Sequence, residues 1–326
     1  MEKFNAILIN SQNTDVYYNL SAERLLLKGR LNCPILYVWQ SENAVVIGSN
    51  QNPYTECNLS AMQNDNVQLS RRITGGGAVY HDNGNINFSF ISPKSLYSES
   101  SNFEIVIDAL KSLGINATVT GRNDILVGES KISGNAFYRG KEFCLHHGTL
   151  LVSSDLNKLS LYLNPPKEKL EKRGVKSVKS RVKNLSEIAP QISTKVLITA
   201  LYGAFCEKYT IVKQANIEEI ICIEEHNREI AKISSKDYLF AKWEEKPYYY
   251  TQAFEWGIIS FSAKLNNCEI VEQLSIQTDC MYPQIKQRLE DAFLGKKLND
   301  VSKISNPIFE EDKIFNDAVS VIKENI

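Results

Sequence analysis

What most restricts the fold of this chain is a set of short apolar runs that do not alternate regularly with helical segments. Phe4–Ile9, Pro34–Trp39, Ala44–Gly48, Ile86–Ile91 and Phe143–Val152 are strand length, and are rich in β-branched and aromatic residues or bounded by Gly, Pro and Asn. Helical patterning is confined to Asp15–Lys28, Phe103–Leu113, Ser193–Tyr209 and Ile217–Ile233. In the first of these Asp15 can cap, and Tyr18, Leu25 and Leu26 share a face. A doubly wound sheet needs strand and helix in strict alternation, so this order predicts an α/β (α+β) fold with a mixed sheet. Near Lys246-Pro247-Tyr248 the pattern changes. Two strand-like runs follow, Ile258–Leu265 and Glu269–Ile276, with Asn266-Asn267 as the turn, then a helix from Pro283 to Phe293. We therefore expect a large domain over residues 1–246 and a small α+β module over residues 250–326.

Bulk properties exclude several classes. With 37 basic and 38 acidic residues, nothing in the net charge calls for nucleic acid. No run approaches the roughly 20 apolar residues that span a bilayer, and Met1 to Asn10 has no signal-like core. The seven cysteines are scattered and never form a CxxC pair, as expected of reduced thiols. The four histidines form no HExxH-type ligand pattern. A cytoplasmic protein without a protein-bound zinc is the expectation.

The most informative stretch is Arg71-Arg72-Ile73-Thr74-Gly75-Gly76-Gly77-Ala78-Val79-Tyr80-His81-Asp82. Three glycines between an arginine pair and a strand-like run allow close backbone approach to a ligand. Their N–H groups can face an anion while the guanidiniums supply charge. An isolated triple glycine is equally a hairpin tip, and no Walker A ending follows this one. A second segment runs Gly121-Arg122-Asn123-Asp124, then Lys131-Ile132-Ser133-Gly134-Asn135-Ala136. Asp124 could hold Mg²⁺ or orient a phosphate, and Lys131 could sit between two anions, although a lone lysine is usually a surface residue. The third, His146-His147-Gly148-Thr149-Leu150-Leu151, has the tail of a core strand, which favours structural histidines on spacing alone. Residues Lys167 to Lys183 hold eight basic against two acidic residues, the composition of a solvated helix face.

Taken in order, RRITGGGAVYHDNGNINFSF, GRNDI, KISGNAFYR, HHGTLL and GVKSVKSRVKNLSE resemble the lipoate–protein ligase A family over nearly the whole chain. The resemblance implies a catalytic domain related to the biotin-ligase fold and a small accessory domain. It further implies a monomeric, ATP- and Mg²⁺-dependent ligase that converts free lipoate to lipoyl-AMP. The lipoyl group would then pass to a lysine on the apo lipoyl domains of 2-oxoacid dehydrogenases or on the glycine-cleavage H protein. By motif position, Lys131 is the catalytic residue. Arg72, Gly75, Gly76, Gly77, Ala78, Val79, Tyr80, Asn123, Asp124, Lys131, Lys179 and Arg181 are expected at the adenylate. Arg72, Gly76, Gly77, Lys131, His147 and Gly148 are expected at lipoate, and Asp124 at the metal.

Three other readings compete. Asp15–Leu20 and Asn52–Leu59 also look like eukaryotic lipoyltransferases that accept preformed lipoyl-AMP. An octanoyltransferase would work through a thioester on a cysteine such as Cys144, three residues before His147. On a strand that offset sets the two on opposite faces, and a buried cysteine is usually inert. A non-enzymatic scaffold binding lipoate or its adenylate would need the same pocket without turnover.

Overall fold

The computed structural model describes residues 5–29, 31–121, 123–164, 182–241, 243, 245 and 248–326. The main sheet is built from β1 (Ala6–Asn10), β2 (Ile35–Trp39), β6 (Asn85–Pro93), β7 (Thr118–Thr120), β8 (Asp124–Val127), β9 (Ser130–Arg139), β10 (Phe143–Leu151) and β11 (Val212–Ala215). Its order is β11-β1-β2-β6-β10-β9-β8-β7. β1 runs parallel to β11 and β2, and the remaining pairs are antiparallel. The sheet is therefore mixed, as the strand order in the sequence predicted.

Both faces of the central strands are covered, which explains their unbroken apolar runs. Leu36, Val38, Phe88 and Phe90 pack with Ile105, Leu110, Leu201 and Phe205 from helices Glu99–Ser112 and Thr194–Lys208. The alternate residues Ile35, Tyr37, Trp39 and Ile91 pack with Val16, Leu20, Leu26 and Ile233 from helices Val16–Leu26 and Ile223–Ile233. Asp15 caps the first of these helices, its carboxylate accepting from Tyr18 N at 2.8 Å. The stretch expected as one helix over Ile217–Ile233 divides into a 3-10 turn, Ile217–Glu219, and the helix Ile223–Ile233. Glu219 accepts from Asn216 N in a capping box that closes the short turn, and Ile220 and Ile221 lie against the core between the two pieces.

A second sheet sets β3 (Ala44–Ile47) between parallel β4 (Gln68–Arg71) and antiparallel β5 (Val79–His81). It carries the glycine-rich segment as the connection from β4 to β5. A third is the antiparallel meander β12 (Tyr250–Phe254), β13 (Gly257–Leu265) and β14 (Val271–Thr278). Helices Ile285–Phe293 and Glu310–Glu324 cover it around Phe261, Ile276, Leu289, Phe293, Phe315 and Ile322. The β13–β14 turn lies at Asn266, whose side chain accepts from Cys268 N and Ile270 N. Lys246 and Pro247, at the expected junction, lie outside the described residues.

The meander docks on the second sheet through a buried polar seam. Gln277 Nε2 donates to Glu56 Oε1 at 2.7 Å, while its Oε1 accepts from Thr55 Oγ1 at 2.7 Å. Asn50 accepts from Thr278 N and donates to Pro283 O. Gln277 thus joins β14 to Thr55 and Glu56 on both sides of its amide, beside the glycine segment.

Candidate active site

A cavity of about 540 Å³ lies where β9, the glycine segment and the C-terminal module meet. Its buried end is walled by Leu20, Trp39, Val46, Val79, His81 and Asn87, all but Val79 under one-tenth exposed. Its open end is bordered by Thr120, Gly121, Asn123, Asp124 and Lys131, and across from them by Glu255, Trp256, Asp279 and Met281. The arrangement follows from register. Trp39, Asn87 and Thr149 are directly paired across β2, β6 and β10, and so are Tyr37, Ser89 and His147. Paired residues share a face, and the alternation places both rows on one side of the sheet.

Lys131 stands near the start of β9, and its Nζ is 2.7 Å from Asp124 Oδ1 on neighbouring β8. The lysine side chain is 22% exposed and the carboxylate 9%, so the pair is shielded but open to a ligand. Gly134 keeps the space beside it clear, since a Cβ there would lie 2.9 Å from Lys131 Nζ. Asn123 and Asn135 exchange side-chain-to-backbone bonds at 2.9 and 3.0 Å, fixing the turn before Asp124. Val182 bridges Lys131 in parallel, and Lys183 N donates to Lys131 O at 3.0 Å, so the chain returns to the Lys131 strand after the basic segment. Lys179 and Arg181, expected at the adenylate, lie outside the described residues, as does Arg122.

Arg72, expected at the adenylate and at lipoate, borders the cavity with its guanidinium bonded to protein groups. Its Nη2 donates to the carbonyls of Gly75 and Gly77 at 2.7 and 2.8 Å, its Nη1 to Val46 O at 3.1 Å and its Nε to Thr74 Oγ1 at 3.1 Å. It shapes the glycine segment from within. Burial, opposed by Glu23, lowers its pKa to about 10, which leaves it charged at neutral pH. Gly76, at φ +90°, needs the freedom of glycine, and a Cβ there would crowd Arg72 Nη2 at 3.0 Å. Gly76, Gly77, Ala78 and Val79 border the cavity. Gly75 and Tyr80 are not among its bordering residues. Gly75 faces the backbone of Cys280 and Met281, and Gly76 N donates to Cys280 O at 3.3 Å. Tyr80 points to the far side of its sheet, against Tyr162, with its hydroxyl on Asn43.

The two histidines divide as strand alternation requires. His147 borders the cavity. Its Nδ1 is 2.8 Å from Glu23 Oε2, and its Nε2 is 2.8 Å from Thr74 Oγ1. Ser89 Oγ donates to the same Glu23 oxygen at 2.6 Å. Glu23 is 1% exposed, a carboxylate anchored beneath the site. It was not singled out in the sequence, although an acid on the buried face of an amphipathic helix is a readable signal. Gly148 also borders the cavity, and a Cβ there would run into Asn135 and Phe88. His146 faces the opposite way, packed among Phe88, Phe90, Phe103 and Phe137 with Nε2 on Asn135. Cys144 is buried and does not border the cavity, and burial raises its pKa, so no thiolate is prepared there.

Burial holds His146 far below its ordinary pKa, and burial with Arg72 and His147 nearby lowers His81 to about 3. Both remain neutral when folded and take up protons on unfolding at pH below about 6.5. The unfolded state then binds more protons, so stability falls as pH drops from about 6.5 towards 3, by about 1.4 kcal/mol per pH unit per histidine. Urea denaturation at pH 7 and pH 5.5 should show this loss, and His146→Phe should remove about half of the histidine contribution. An unchanged pH dependence in that variant would contradict the assignment.

Among the described residues no group of three or more His, Cys, Asp and Glu could form a metal cage, and no helix is long and apolar enough to cross a membrane. The Asp124 carboxylate, at the open end of the cavity, fits Mg²⁺, which binds through one or two carboxylates together with substrate oxygens.

The glycine segment, the shielded lysine–aspartate pair and a recess walled mainly by Leu20, Trp39, Val46 and Val79 border one cavity. The family model "Lipoyl protein ligase A/B catalytic domain" matches residues 15–206. A curated relative from Bdellovibrio bacteriovorus named lipoate-protein ligase A is 37% identical over 304 residues, 91% of this chain and 89% of that protein. One from Psychrobacter cryohalolentis with the same name is 37% identical over 89% of this chain and 88% of its own. Among solved structures, LipL1 of P. falciparum in complex with lipoate superposes with a TM-score of 0.82, at 28% identity, over 98% of this chain and 99% of its own. A lipoate-protein ligase A bound with ATP gives a TM-score of 0.60 at 26% identity, over 74% of this chain and 98% of its own. The chain belongs to the lipoyl protein ligase A/B family and is a ligase.

Proposed function

We propose that this protein joins free lipoate to a lysine of an acceptor protein in two ATP-driven steps. The observation that carries the reading is the layout of one cavity, with Lys131 and Asp124 at its open end and a recess walled by Leu20, Trp39, Val46 and Val79, with His81 and Asn87, behind them. That shape suits a substrate with a charged head and an apolar tail. Relatives supply the chemical class: one is seen with lipoate, another with ATP, and an archaeal bipartite ligase is paired with its E2 lipoyl domain.

In the first step the lipoate carboxylate attacks the α-phosphorus of ATP; the new acyl–phosphate bond forms as pyrophosphate leaves. In this reading the Lys131 ammonium contacts both anions and offsets their repulsion, with Asp124 setting its direction. The Gly77–Ala78 backbone, shaped by Arg72, would offer N–H groups to the phosphates, while the Gly76 N–H is held by Cys280 O. Mg²⁺, when bound, supplies further charge neutralisation there, with Asp124 as its protein carboxylate. In the second step the acceptor lysine amine attacks the acyl carbon and AMP leaves, the amine losing its proton. Lys131 then polarises the carbonyl. Burying the four methylenes of the lipoyl tail contributes roughly 3 kcal/mol at about 0.8 kcal/mol per CH₂. Residues 1–246 form the activating part in this reading, and residues 250–326 an accessory part that covers it.

The test is mass spectrometry of an apo lipoyl domain incubated with the protein, lipoate, ATP and Mg²⁺. A gain of one lipoyl group, dependent on ATP, is expected. Modification from preformed lipoyl-AMP alone would instead identify a transferase, and no modification from either donor would reject the reading.

A further inference from the structure

The buried face of helix Val16–Leu26 carries a carboxylate that the mechanism leaves unused. Glu23 is 1% exposed and does not border the cavity. Its Oε2 accepts from Ser89 Oγ at 2.6 Å and lies 2.8 Å from His147 Nδ1. Ser89 Oγ in turn accepts from Trp39 Nε1 at 3.3 Å. On the other side, His147 Nε2 lies 2.8 Å from Thr74 Oγ1, which accepts from Arg72 Nε at 3.1 Å. Arg72 Nη2 then holds the carbonyls of Gly75 and Gly77. One hydrogen-bonded chain therefore runs from Trp39, at the buried end of the cavity, to the glycine segment, with Glu23 at its centre.

The direction of this chain is set by the carboxylate. An ionised carboxylate only accepts, so His147 donates from Nδ1 and its Nε2 is left to accept the Thr74 hydroxyl. Thr74 Oγ1, its proton committed to His147, then offers a lone pair to Arg72 Nε. One tautomer of one imidazole fixes the whole arrangement. Both His147 nitrogens are spent on it, so the ring serves the cavity as a wall and not as an acid or base. Burial lowers the Arg72 pKa, and the Glu23 charge opposes that fall, so the two ends of the link also balance in charge. A buried carboxylate is costly unless it is paired and hydrogen-bonded, and here each of its bonds leads to a residue that shapes the cavity.

We infer that Glu23 is a positioning residue for the activation step, holding the acyl wall and the glycine segment in register through His147, Thr74 and Arg72. This inference rests on the function proposed above and deepens it. In the activation step two separate substrates must align, the acid along the wall made by Trp39 and His147 and the nucleotide phosphates on the glycine segment. A misplacement of about 1 Å between such partners can cost about 10²-fold in rate. In the transfer step the acyl group and the phosphate are already joined by a covalent bond. The same loss of register therefore matters much less there.

The experiment compares pyrophosphate release at saturating lipoate and ATP with transfer from supplied lipoyl-AMP to an apo lipoyl domain. It covers the native protein, Glu23→Ala, Glu23→Gln and Thr74→Val. Glu23→Ala and Thr74→Val should each slow pyrophosphate release by about tenfold or more, and slow transfer by less than about threefold. Glu23→Gln, whose amide oxygen can still accept from Ser89 and His147, should recover most of the release rate. Thr74→Val cuts the same chain on a different element, so a folding defect in one variant leaves the other to decide. Equal losses in the two half-reactions, or native release in Glu23→Ala, would overturn the inference. Nitrogen-15 NMR of labelled histidine and arginine reads the chain without turnover. The ligand-free native protein should carry the His147 proton on Nδ1, and Glu23→Ala should shift the Arg72 Nε–H signal. A native protein that releases no pyrophosphate would count against the activation reaction alone. A His147 proton on Nε2 only, or an unmoved Arg72 signal in Glu23→Ala, would overturn the role of Glu23 even then.

Discussion

Lys131→Ala should lower lipoate-dependent pyrophosphate release by about 10²–10³-fold, the typical effect of removing one preorganised charge-stabilising donor. No other described cation shares its position: Arg71 and Arg72 are tied to backbone carbonyls beneath the site. Lys131→Arg should recover little, because the space beside the lysine depends on Gly134 and a planar fork cannot occupy the same point. Loss of the lysine also removes the ammonium that lies 2.7 Å from the Asp124 carboxylate, reducing the positive charge that meets an anionic substrate. Both halves of the reaction should therefore slow, with transfer from supplied lipoyl-AMP falling as well. A Lys131→Ala protein that releases pyrophosphate within about threefold of the native rate would remove this residue from the chemistry.

Arg72→Met should be the most destabilising change in the site, by about 3 kcal/mol or more in urea denaturation. Its guanidinium satisfies the carbonyls of Val46, Gly75 and Gly77 and the hydroxyl of Thr74, all in a buried setting. Methionine fills much of the volume and takes the guanidinium donors away from the Val46, Gly75 and Gly77 carbonyls, at about 1–3 kcal/mol for each group that water cannot reach. Glu23, which helps to keep Arg72 charged, would then lie buried with less positive charge nearby. Because Thr74 bridges Arg72 to His147, the cavity wall should loosen too, raising KM for lipoate. A stability change below about 0.5 kcal/mol, with unaltered kinetics, would mean that the glycine segment holds its shape without the arginine.

Much of this was legible in the chain. The mixed sheet followed from strand-length runs without helical alternation, and the cap at Asp15 followed from residue type. The glycine segment, Asp124, Lys131 and His147 were visible as local words, and the sheet register brings them to one cavity. Other parts had no local signal. Trp39, His81 and Asn87 lie on three strands and meet only when β2, β5 and β6 assemble. Asp279 and Met281 reach the cavity across a docking seam made by Gln277, Glu56 and Thr55, which no spacing in the sequence links. Arg72 was recognised as important, yet its direction depends on where the carbonyls of Gly75 and Gly77 turn. The helix Glu310–Glu324 was overlooked, although Phe315, Ala318, Val319 and Ile322 mark a buried face with helical spacing.

The central claim is that this cavity activates lipoate by itself. The most direct measurement is pyrophosphate release from the purified protein with ATP, Mg²⁺ and free lipoate, before any acceptor is added. Release that requires lipoate and is lost in Lys131→Ala is the expected result. No release, with acceptor modification from supplied lipoyl-AMP intact, would contradict it.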